Sequence, residues 1–434
     1  MKKVAPEKQL LESIAAQIPT PFHLYDGPAL EKRAQDLNAA FSWNEGFREY
    51  FAVKATPNPH ILELLKAQGC GVDCASLCEL KMARAVGFRG EEIMFSSNQT
   101  PAGEFELARE LGAIINLDDI SHINFLQEHG GIPKVICLRY NPGGDAVVAN
   151  QVMGRPEEAK FGMTRDQIFE SVQRLQAMGT EEFGLHAFLV SNTRAPDYYP
   201  AMAAMLMELA LEIHRELGAK VFMVNLSGGI GIPYRPEEEP VDIAKVGEGV
   251  REAYDSLIRG TSLHPMRVVT ELGRYMTGPI GWLVARAIHT KDIYKQYIGL
   301  DATACNLMRP AMYGAYHHIT VPGKENAPCD RVYDVVGSLC ENNDKFAVDR
   351  KLPEILPGDL VVIHDTGAHG HSMGYNYNGK LRSAEVLLTD EGYRLIRRAE
   401  TPEDYFATLD YPGLNGGTGQ LQGEPPAGWG AGRP

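Results

Sequence analysis

Arg48-Glu-Tyr-Phe-Ala-Val-Lys-Ala-Thr-Pro-Asn58 is a largely apolar run that delivers one lysine, Lys54, just before a proline break. Such a run predicts a buried β-strand. Its last residue then lies at the rim of a sheet or barrel, where active sites are usually built. The apolar neighbours Val53 and Ala55 predict partial desolvation of the amine, which lowers its pKa and prepares it for Schiff-base chemistry. The alternative is a lysine that only reaches from a strand end into water.

The composition is that of an ordinary globular protein of 434 residues, with 44% hydrophobic and 23% charged residues. This length exceeds the usual size of one domain, so we expect two domains. The net charge of −14 argues against binding to nucleic acid or anionic membranes, which attract basic surfaces. No apolar stretch approaches the ~20 residues that span a bilayer, and the N-terminus lacks the apolar core of a signal peptide. We therefore expect no membrane partner and a cytoplasmic location.

The seven cysteines are too few for a disulfide framework in a chain of this length, and their odd number fits reduced thiols. Cys70, Cys74 and Cys78 lie close together in sequence, but their three-residue gaps match no zinc pattern. We therefore expect small buried residues at these positions and no metal site.

Apolar, strand-like runs alternate regularly with helical stretches. The helical stretches show apolar spacing of three and four residues, as in 60–66 and 202–213. Eight strand–helix units are what a (β/α)8 barrel of the TIM type requires, and a doubly wound open sheet is the alternative. The eight strand-like runs lie near residues 48–54, 70–75, 92–96, 113–117, 134–140, 183–190, 220–226 and 267–271.

The pattern changes after the expected barrel region, residues 41–278. Helical periodicity fades there and β-rich runs appear at 282–288, 331–336, 359–364 and 384–388, which predicts a C-terminal, mostly antiparallel β domain over 279–412. Residues 1–40 form a lead-in whose strand, near 20–26, is expected to join the β domain. Gly and Pro dominate residues 413–434, which predicts a disordered tail.

Two further motifs end predicted barrel strands. Leu226-Ser-Gly-Gly-Ile-Gly231 is a glycine-rich turn whose backbone N–H groups can cradle a phosphate, although such a turn also uses glycine merely for its backbone conformation. Glu271, in Thr270-Glu-Leu-Gly-Arg274, is a carboxylate at the barrel mouth that needs a cationic partner. A protonated pyridine nitrogen would serve, and so would Arg274.

Two more motifs follow in the predicted β domain. Arg309-Pro-Ala-Met-Tyr313 places a cation and a phenol four residues apart, which suits a grip on a carboxylate. Cys340-Glu-Asn-Asn-Asp344 is a polar cluster, for which a capped turn is the alternative. Taken alone, each motif also fits a purely structural role.

In their order along the chain these motifs resemble the fold-type III pyridoxal-phosphate decarboxylases, most closely the diaminopimelate decarboxylases. The resemblance runs from about Thr20 to Leu388. It is carried by Tyr50-Phe-Ala-Val-Lys-Ala55, Ser227-Gly-Gly-Ile-Gly-Ile-Pro-Tyr234, Glu271-Leu-Gly-Arg274, Asn306-Leu-Met-Arg-Pro-Ala-Met-Tyr313, Cys340-Glu341 and Ser372-Met-Gly-Tyr-Asn-Tyr-Asn378.

The resemblance implies an alanine racemase-like fold, in which a (β/α)8 barrel precedes an antiparallel β domain, and a homodimer with shared active sites. The implied cofactor is pyridoxal 5′-phosphate, with Lys54 as its Schiff-base lysine. Cys340 is the candidate proton donor, and Lys54 is the alternative. The implied cofactor contacts are Lys54, Phe188, Ser191, Gly228, Gly229, Glu271, Gly273, Arg274, His369 and Tyr377. The implied substrate contacts are Arg274, Arg309, Tyr313, Glu341 and Tyr377.

Two positions depart from the family pattern. Phe188 stands where the family has a histidine stacked on the cofactor ring, and a phenyl ring keeps the stacking but loses any polar role. The neighbouring His186 would supply a polar contact only in a different register. His369 stands where the family has a tyrosine near the phosphate, and histidine keeps the ability to donate a hydrogen bond to it.

The resemblance implies α-decarboxylation of an amino acid. The expected substrate is meso-2,6-diaminopimelate, which gives L-lysine and CO2 in the last step of lysine biosynthesis, because Arg309 and Tyr313 can grip a distal carboxylate and Glu341 a distal ammonium. Decarboxylases of D-ornithine, D-lysine or carboxynorspermidine share the fold and stay as alternatives. A non-catalytic carrier of the cofactor is a hypothesis of another class, although such carriers typically lack the β domain and the Cys-Glu pair.

Overall fold

The computed structural model describes residues 3–144 and 156–409, together with Tyr411 and Leu414. Apart from Leu414, the predicted tail lies outside the described residues. The chain begins with α1 (Lys8–Ala15), β1 (Phe22–Asp26) and α2 (Gly27–Ala40). Asp26 starts α2 because its side chain accepts a hydrogen bond from the Ala29 N–H at 2.9 Å, and a proline occupies the first turn.

Eight parallel strands then close into a barrel, in which the last strand pairs with the first. This closure confirms the predicted (β/α)8 barrel over the open sheet, and every predicted barrel strand is present. The strands are β2 (Arg48–Ala52), β3 (Gly71–Cys74), β4 (Ile93–Ser97), β5 (Ile114–Leu117), β6 (Val135–Arg139), β7 (Glu182–His186), β8 (Lys220–Asn225) and β9 (Arg267–Thr270).

The helices of the barrel are α3 (Pro59–Ala67), α4 (Leu77–Val86), α5 (Ala102–Glu110), α6 (His122–His129), α7 (Arg165–Ala177), α8 (Tyr198–Leu217), α9 (Ile243–Leu257) and the short α10 (Gly273–Thr277). Only α10 follows β9, and α2 packs against both α9 and α3. A helix from before the first barrel strand therefore completes the outer ring. Gly247 permits the close approach of α9, since a Cβ there would lie 2.3 Å from the Ala40 carbonyl oxygen.

A nine-stranded sheet, mixed but mostly antiparallel, follows the barrel. β1 lies inside it, antiparallel to β10 and parallel to β16, so the lead-in strand is part of the second sheet. Its remaining elements are β10 (Gly281–Asp292), β11 (Gln296–Leu300), α11 (Arg309–Tyr313), β12 (Ile319–Thr320), β13 (Arg331–Val336), β14 (Lys345–Leu352), β15 (Leu360–His364), β16 (Ala384–Thr389), β17 (Gly392–Arg397) and α12 (Pro402–Phe406).

The barrel has one core between its strands and helices and a smaller one inside. The smaller core leaves the carboxyl ends of the strands for polar side chains, as is usual in barrels of this type. Cys70 and Cys74 are buried as expected, whereas Cys78 is exposed on α4. The interior cluster consists of Tyr50, Met94, Ile114, Cys137, Phe222, Met223 and Val269.

Candidate active site

A cleft opens at the carboxyl ends of the barrel strands. Within the described part of the chain it brings together many of the residues that the sequence predicts for the cofactor. Those that line it are Lys54, Phe188, Ser191, Gly228, Gly229, Glu271, Gly273, Arg274 and His369. The sequence did not single out four further polar residues that also line it: Asp73, Ser96, Arg139 and Asn192. Ser227, from the glycine-rich motif, lines it as well.

Lys54 lies in a short 3-10 turn, Val53–Ala55, directly after β2. Its side chain is half-exposed in the cleft, and its Nζ is 3.6 Å from Asp73 Oδ2. The expected lowering of the Lys54 pKa is wrong. Desolvation does lower the pKa, but the carboxylates of Asp73 and Glu271 outweigh it, so the pKa of Lys54 is raised.

Asp73 is the buried carboxyl group next to this lysine. Neither of its oxygens has a hydrogen-bond partner in the described part of the chain. Burial and the negative charge of Glu271 raise the pKa of Asp73 well above its usual value, in spite of the Lys54 ammonium. A buried carboxyl group with a raised pKa at the mouth of a barrel is typical of a binding site rather than of a structural ion pair.

Glu271 is held as an anion by three neighbours. Its Oε1 accepts a hydrogen bond from Asn225 Nδ2 at 2.7 Å, and its Oε2 accepts one from Ser227 Oγ at 2.9 Å. His186 Nε2 lies 3.3 Å from Oε2. Burial raises the pKa of Glu271, but His186, Lys54 and Asn225 together bring it below its ordinary value.

His186 is the polar neighbour that the sequence placed only in a different register. The structure puts it at the end of β7, where it contacts Glu271. Burial lowers the pKa of His186, so the ring is neutral at neutral pH. Phe188 and His186 therefore both line the cleft, and the aromatic and polar parts of this wall come from two residues.

The glycine-rich turn packs against the segment that carries Ser191. Thr193 N–H donates to the Gly229 carbonyl at 2.9 Å, and Gly231 N–H donates to the Thr193 carbonyl at 2.7 Å. Gly229 has φ +117°, and a Cβ there would lie 2.9 Å from the Val190 oxygen. Glycine is therefore required for this close approach, which places both backbone segments at one wall of the cleft.

Arg274 and Arg309 share one tyrosine at the edge of the cleft. Arg274 Nη1 donates to the Tyr234 hydroxyl at 2.5 Å, and the Arg309 guanidinium lies 4.9 Å from the centroid of the Tyr234 ring. Tyr313 follows Arg309 on α11 and is half-buried. In the described part of the chain neither guanidinium forms an ion pair with a carboxylate. Arg274 lines the cleft, whereas Arg309 and Tyr313 do not.

His369 enters the cleft from the loop after β15. Its backbone N–H donates to the Ala55 carbonyl at 2.9 Å, which joins this loop to the Lys54 turn. Burial and the charges of Arg274 and Arg309 lower the pKa of His369 well below its usual value. A neutral ring keeps one N–H to donate.

Cys340, Glu341 and Tyr377 lie elsewhere. All three are exposed in loops of the second sheet and do not line the cleft of the same chain. Their two loops are joined, because the Cys340 N–H donates to Asn378 Oδ1 at 2.7 Å. These residues form a second, separate group of predicted site residues.

The donor set of the cleft fits pyridoxal 5′-phosphate. The lining of the cleft includes the amine of Lys54, which suits an aldehyde, and the ionised carboxylate of Glu271, which suits a pyridinium nitrogen. Arg274, His369 and the glycine-rich turn offer cationic and N–H groups to a phosphate. The unpartnered oxygens of Asp73 are a further sign that this cleft holds a polar ligand.

Comparison with known proteins gives a consistent result. Residues 29–278 match the family model described as pyridoxal-dependent decarboxylase, pyridoxal binding domain. Protein TabA of Pseudomonas amygdali pv. tabaci is 40% identical over 403 residues, which cover 93% of this chain and 94% of that protein. Diaminopimelate decarboxylase of Methanothermobacter thermautotrophicus is 32% identical over 400 residues, which cover 92% of this chain and 94% of that protein.

A solved structure resembles the whole described architecture. Diaminopimelate decarboxylase from M. jannaschii in co-complex with L-lysine superposes with a TM-score of 0.83 at 27% sequence identity. The match covers 92% of this chain and 94% of that chain. The barrel and the second sheet are therefore shared together, not the barrel alone.

Proposed function

Because the chain belongs to the pyridoxal-phosphate-dependent decarboxylases, we propose that it converts meso-2,6-diaminopimelate to L-lysine and CO2, the last step of lysine biosynthesis. Pyridoxal phosphate is its cofactor, and when bound it supplies an electron sink for the carbanion left by loss of CO2. The residues of this chain determine which amino acid loses its carboxyl group.

The proposal of this substrate rests on Arg274 and Arg309, the two arginines that contact Tyr234. Arg309 is 7% exposed and has no acidic partner among the described residues. A buried cation without a counter-ion is costly, and a ligand carboxylate removes that cost. Diaminopimelate keeps a second carboxylate at the far end of its chain, whereas ornithine and lysine do not.

The relatives agree with this substrate. The Methanothermobacter protein is named for diaminopimelate, and the M. jannaschii structure contains L-lysine, the product of the proposed reaction. Protein TabA carries no substrate in its name, so it neither supports nor opposes diaminopimelate.

Each cleft residue has a proposed role that follows from its position. Lys54 holds the cofactor through its amine, which lies in the cleft beside Asp73. Glu271, held ionised, keeps a proton on the ring nitrogen, which makes the electron sink effective. Phe188 packs on the ring by dispersion.

The phosphate group of the cofactor is proposed to bind in a second part of the cleft. Ser191 and the turn at Gly228 and Gly229 bring a hydroxyl and backbone N–H groups to this wall. Gly273 lines the cleft as well, but its N–H donates to the Glu271 carbonyl at 3.0 Å. Arg274 and His369 add a cation and a neutral N–H donor. This set needs no residue from another subunit.

Cys340, Glu341 and Tyr377 are proposed to complete the active site of a second copy of the chain. They are exposed and lie outside their own cleft, yet their loops are joined to each other. In a homodimer with two-fold symmetry such loops reach the partner's cleft reciprocally. There Cys340 would return a proton to the carbanion, while Glu341 and Tyr377 would hold the distal end of the substrate.

The test is CO2 release from purified enzyme with meso-diaminopimelate, L- and D-lysine, L- and D-ornithine and carboxynorspermidine. We expect kcat/KM for meso-diaminopimelate to exceed every other value by about 100-fold or more, because only this substrate pairs with Arg309. A higher kcat/KM for any other amino acid in the panel would replace diaminopimelate as the substrate.

Arg309→Met and Arg331→Met make a matched pair for the same assay. Arg331 is exposed on β13 and pairs with Glu354, so its loss should leave kcat/KM unchanged. Arg309→Met should raise KM for meso-diaminopimelate by about 100-fold. Equal KM values for the two variants would remove Arg309 from substrate binding.

A further inference from the structure

His317 is a fully buried histidine beside Arg309, and no sequence motif singled it out. We propose that His317 is a positioning residue: it fixes the Arg309 guanidinium in the orientation that reads the distal carboxylate and so sets substrate recognition. This inference rests on the proposed function, because Arg309 must first be the group that binds that carboxylate.

The hydrogen bonds of His317 define which nitrogen carries the proton. Nδ1 lies 2.8 Å from the carbonyl oxygen of His364, the last residue of β15. A carbonyl only accepts, so Nδ1 donates, and the neutral ring keeps its lone pair at Nε2. Nη1 of Arg309 lies 2.8 Å from that Nε2 and donates to it. The backbone of a strand in the second sheet therefore holds Arg309 through one imidazole.

The neutral ring is the form that this geometry requires. A protonated ring would present an N–H to the guanidinium N–H, and the contact would become repulsive. Burial lowers the pKa of His317 well below its usual value, and the charges of Arg309 and Arg274 act in the same direction. Nε2 of His317 is therefore a hydrogen-bond acceptor at neutral pH.

Tyr234 holds the other side of the guanidinium. Its ring lies 4.9 Å from the Arg309 guanidinium carbon and meets the His317 ring edge-on at 5.1 Å. An aromatic face and one acceptor nitrogen leave most of the five guanidinium N–H groups for a ligand. Arg309 is therefore held without the acidic partner that would compete with a substrate carboxylate.

The experiment measures the binding of L-lysine, which keeps the distal carboxylate, and of cadaverine, which lacks it. His317→Phe keeps the ring volume and the edge contact with Tyr234 but removes the acceptor. We expect the Kd of L-lysine to rise at least tenfold by titration calorimetry on the holoenzyme, with cadaverine binding unchanged within about twofold. KM for meso-diaminopimelate should rise similarly while kcat at saturation changes little.

Three variants separate this role from a structural one. His317→Gln restores an acceptor and should recover most of the L-lysine affinity. His318→Phe alters the next residue, which contacts the Tyr316 hydroxyl, and should leave L-lysine binding unchanged. In an Arg309→Met background, His317→Phe should cause no further loss, because its effect passes through Arg309.

The outcomes distinguish the two proposals. Equal L-lysine affinities for His317→Phe and the unaltered enzyme would overturn the role of His317 while leaving diaminopimelate as the substrate. A parallel loss of L-lysine and cadaverine binding would also overturn it, because that pattern reports general damage. No turnover of meso-diaminopimelate by the unaltered enzyme would overturn the proposed function. The ratio of the L-lysine and cadaverine Kd values would still test the role of His317.

Discussion

Glu49 and Glu271 are two buried carboxyl groups near the end of β9 that their surroundings place in opposite protonation states. Glu49 accepts hydrogen bonds from Thr270 Oγ1 at 2.5 Å and from the Leu272 N–H at 2.6 Å. Burial still raises the pKa of Glu49 to about 8, whereas the pKa of Glu271 lies below its ordinary value. At neutral pH the ionised group is therefore Glu271, the one that faces the cleft.

The Glu49 pKa predicts how stability changes with pH. The native carboxyl group keeps its proton up to about pH 8, but the unfolded one loses it near 4.5. The native state thus binds more protons between these values, so stability is full below pH 4.5 and falls as the pH rises through the window. Glu49→Gln should remove this fall and gain up to about 4 kcal/mol of unfolding free energy at pH 8 relative to the unaltered protein.

The measurement is urea unfolding at pH 5 and pH 8. Glu45→Gln is the control, because Glu45 is exposed just before β2. A pH dependence that is the same in Glu49→Gln and Glu45→Gln would show that Glu49 does not hold its proton in the folded protein.

The residues of the cleft differ in how well the sequence predicts them. Lys54 and Glu271 stand out because each follows a long apolar strand. Asp73, Arg139 and His186 also lie at the carboxyl ends of barrel strands, so the same signal could have found them. Their pKa values could not have been predicted, because each depends on neighbours from other strands.

The Lys54 turn and the loop after β15 act as one element. The Ala55 carbonyl accepts hydrogen bonds from the His369 N–H at 2.9 Å and from Ser372 Oγ at 3.1 Å. Thr56 Oγ1 donates to the Gly367 carbonyl at 2.6 Å. These bonds join the barrel to the second sheet at the point where the lysine and the predicted phosphate ligand meet.

Thr56→Val should weaken this junction. Thr56 is 1% exposed, so an isosteric valine leaves the Gly367 carbonyl buried without its donor. We expect a loss of about 1–3 kcal/mol in unfolding free energy and weaker binding of pyridoxal phosphate. Urea unfolding and titration of the apoenzyme with the cofactor measure the two effects. Thr56→Ser keeps the hydroxyl and should behave as the unaltered protein. If Thr56→Ser loses as much unfolding free energy and cofactor affinity as Thr56→Val, the hydrogen bond is not the cause.

Elements with a buried apolar face are those that the sequence predicts. All eight barrel strands are buried along most of their length and were predicted. β14 and β17 were missed, because both are edge strands that carry charged residues. β14 is only partly buried, and β17 is largely exposed. β11 and β12 were also missed: β11 is only partly buried, and β12 has two residues.

At the scale of the whole molecule, most of the predicted site residues fall into two groups. One group lines the cleft, and another, with Cys340, Glu341 and Tyr377, lies on exposed loops of the second sheet. Arg309 and Tyr313 belong to neither group, because they lie on α11 outside the cleft lining. The fold class follows from the strand–helix rhythm, but the place of α2 in the barrel ring does not, because it depends on contacts with α9 and α3.

Subunit mixing tests the shared site. Lys54→Ala and Cys340→Ala homodimers should each be nearly inactive, and a mixed dimer should contain one site free of both changes. Statistical exchange then predicts recovery of about a quarter of the unaltered activity. CO2 release after co-incubation under mild denaturant measures it, with each variant incubated alone as the control. No recovery, in a mixture shown to contain mixed dimers, would place Cys340 outside the partner's site.

The most direct test of the account is the identity of the lysine that carries the cofactor. Borohydride reduction of the holoenzyme, followed by peptide mass spectrometry, fixes the phosphopyridoxyl group on the lysine to which it was attached. The cleft geometry predicts that this group is found on Lys54, 3.6 Å from Asp73, and that Lys54→Ala is not labelled. Label on any other lysine, or undiminished label in Lys54→Ala, would contradict the account.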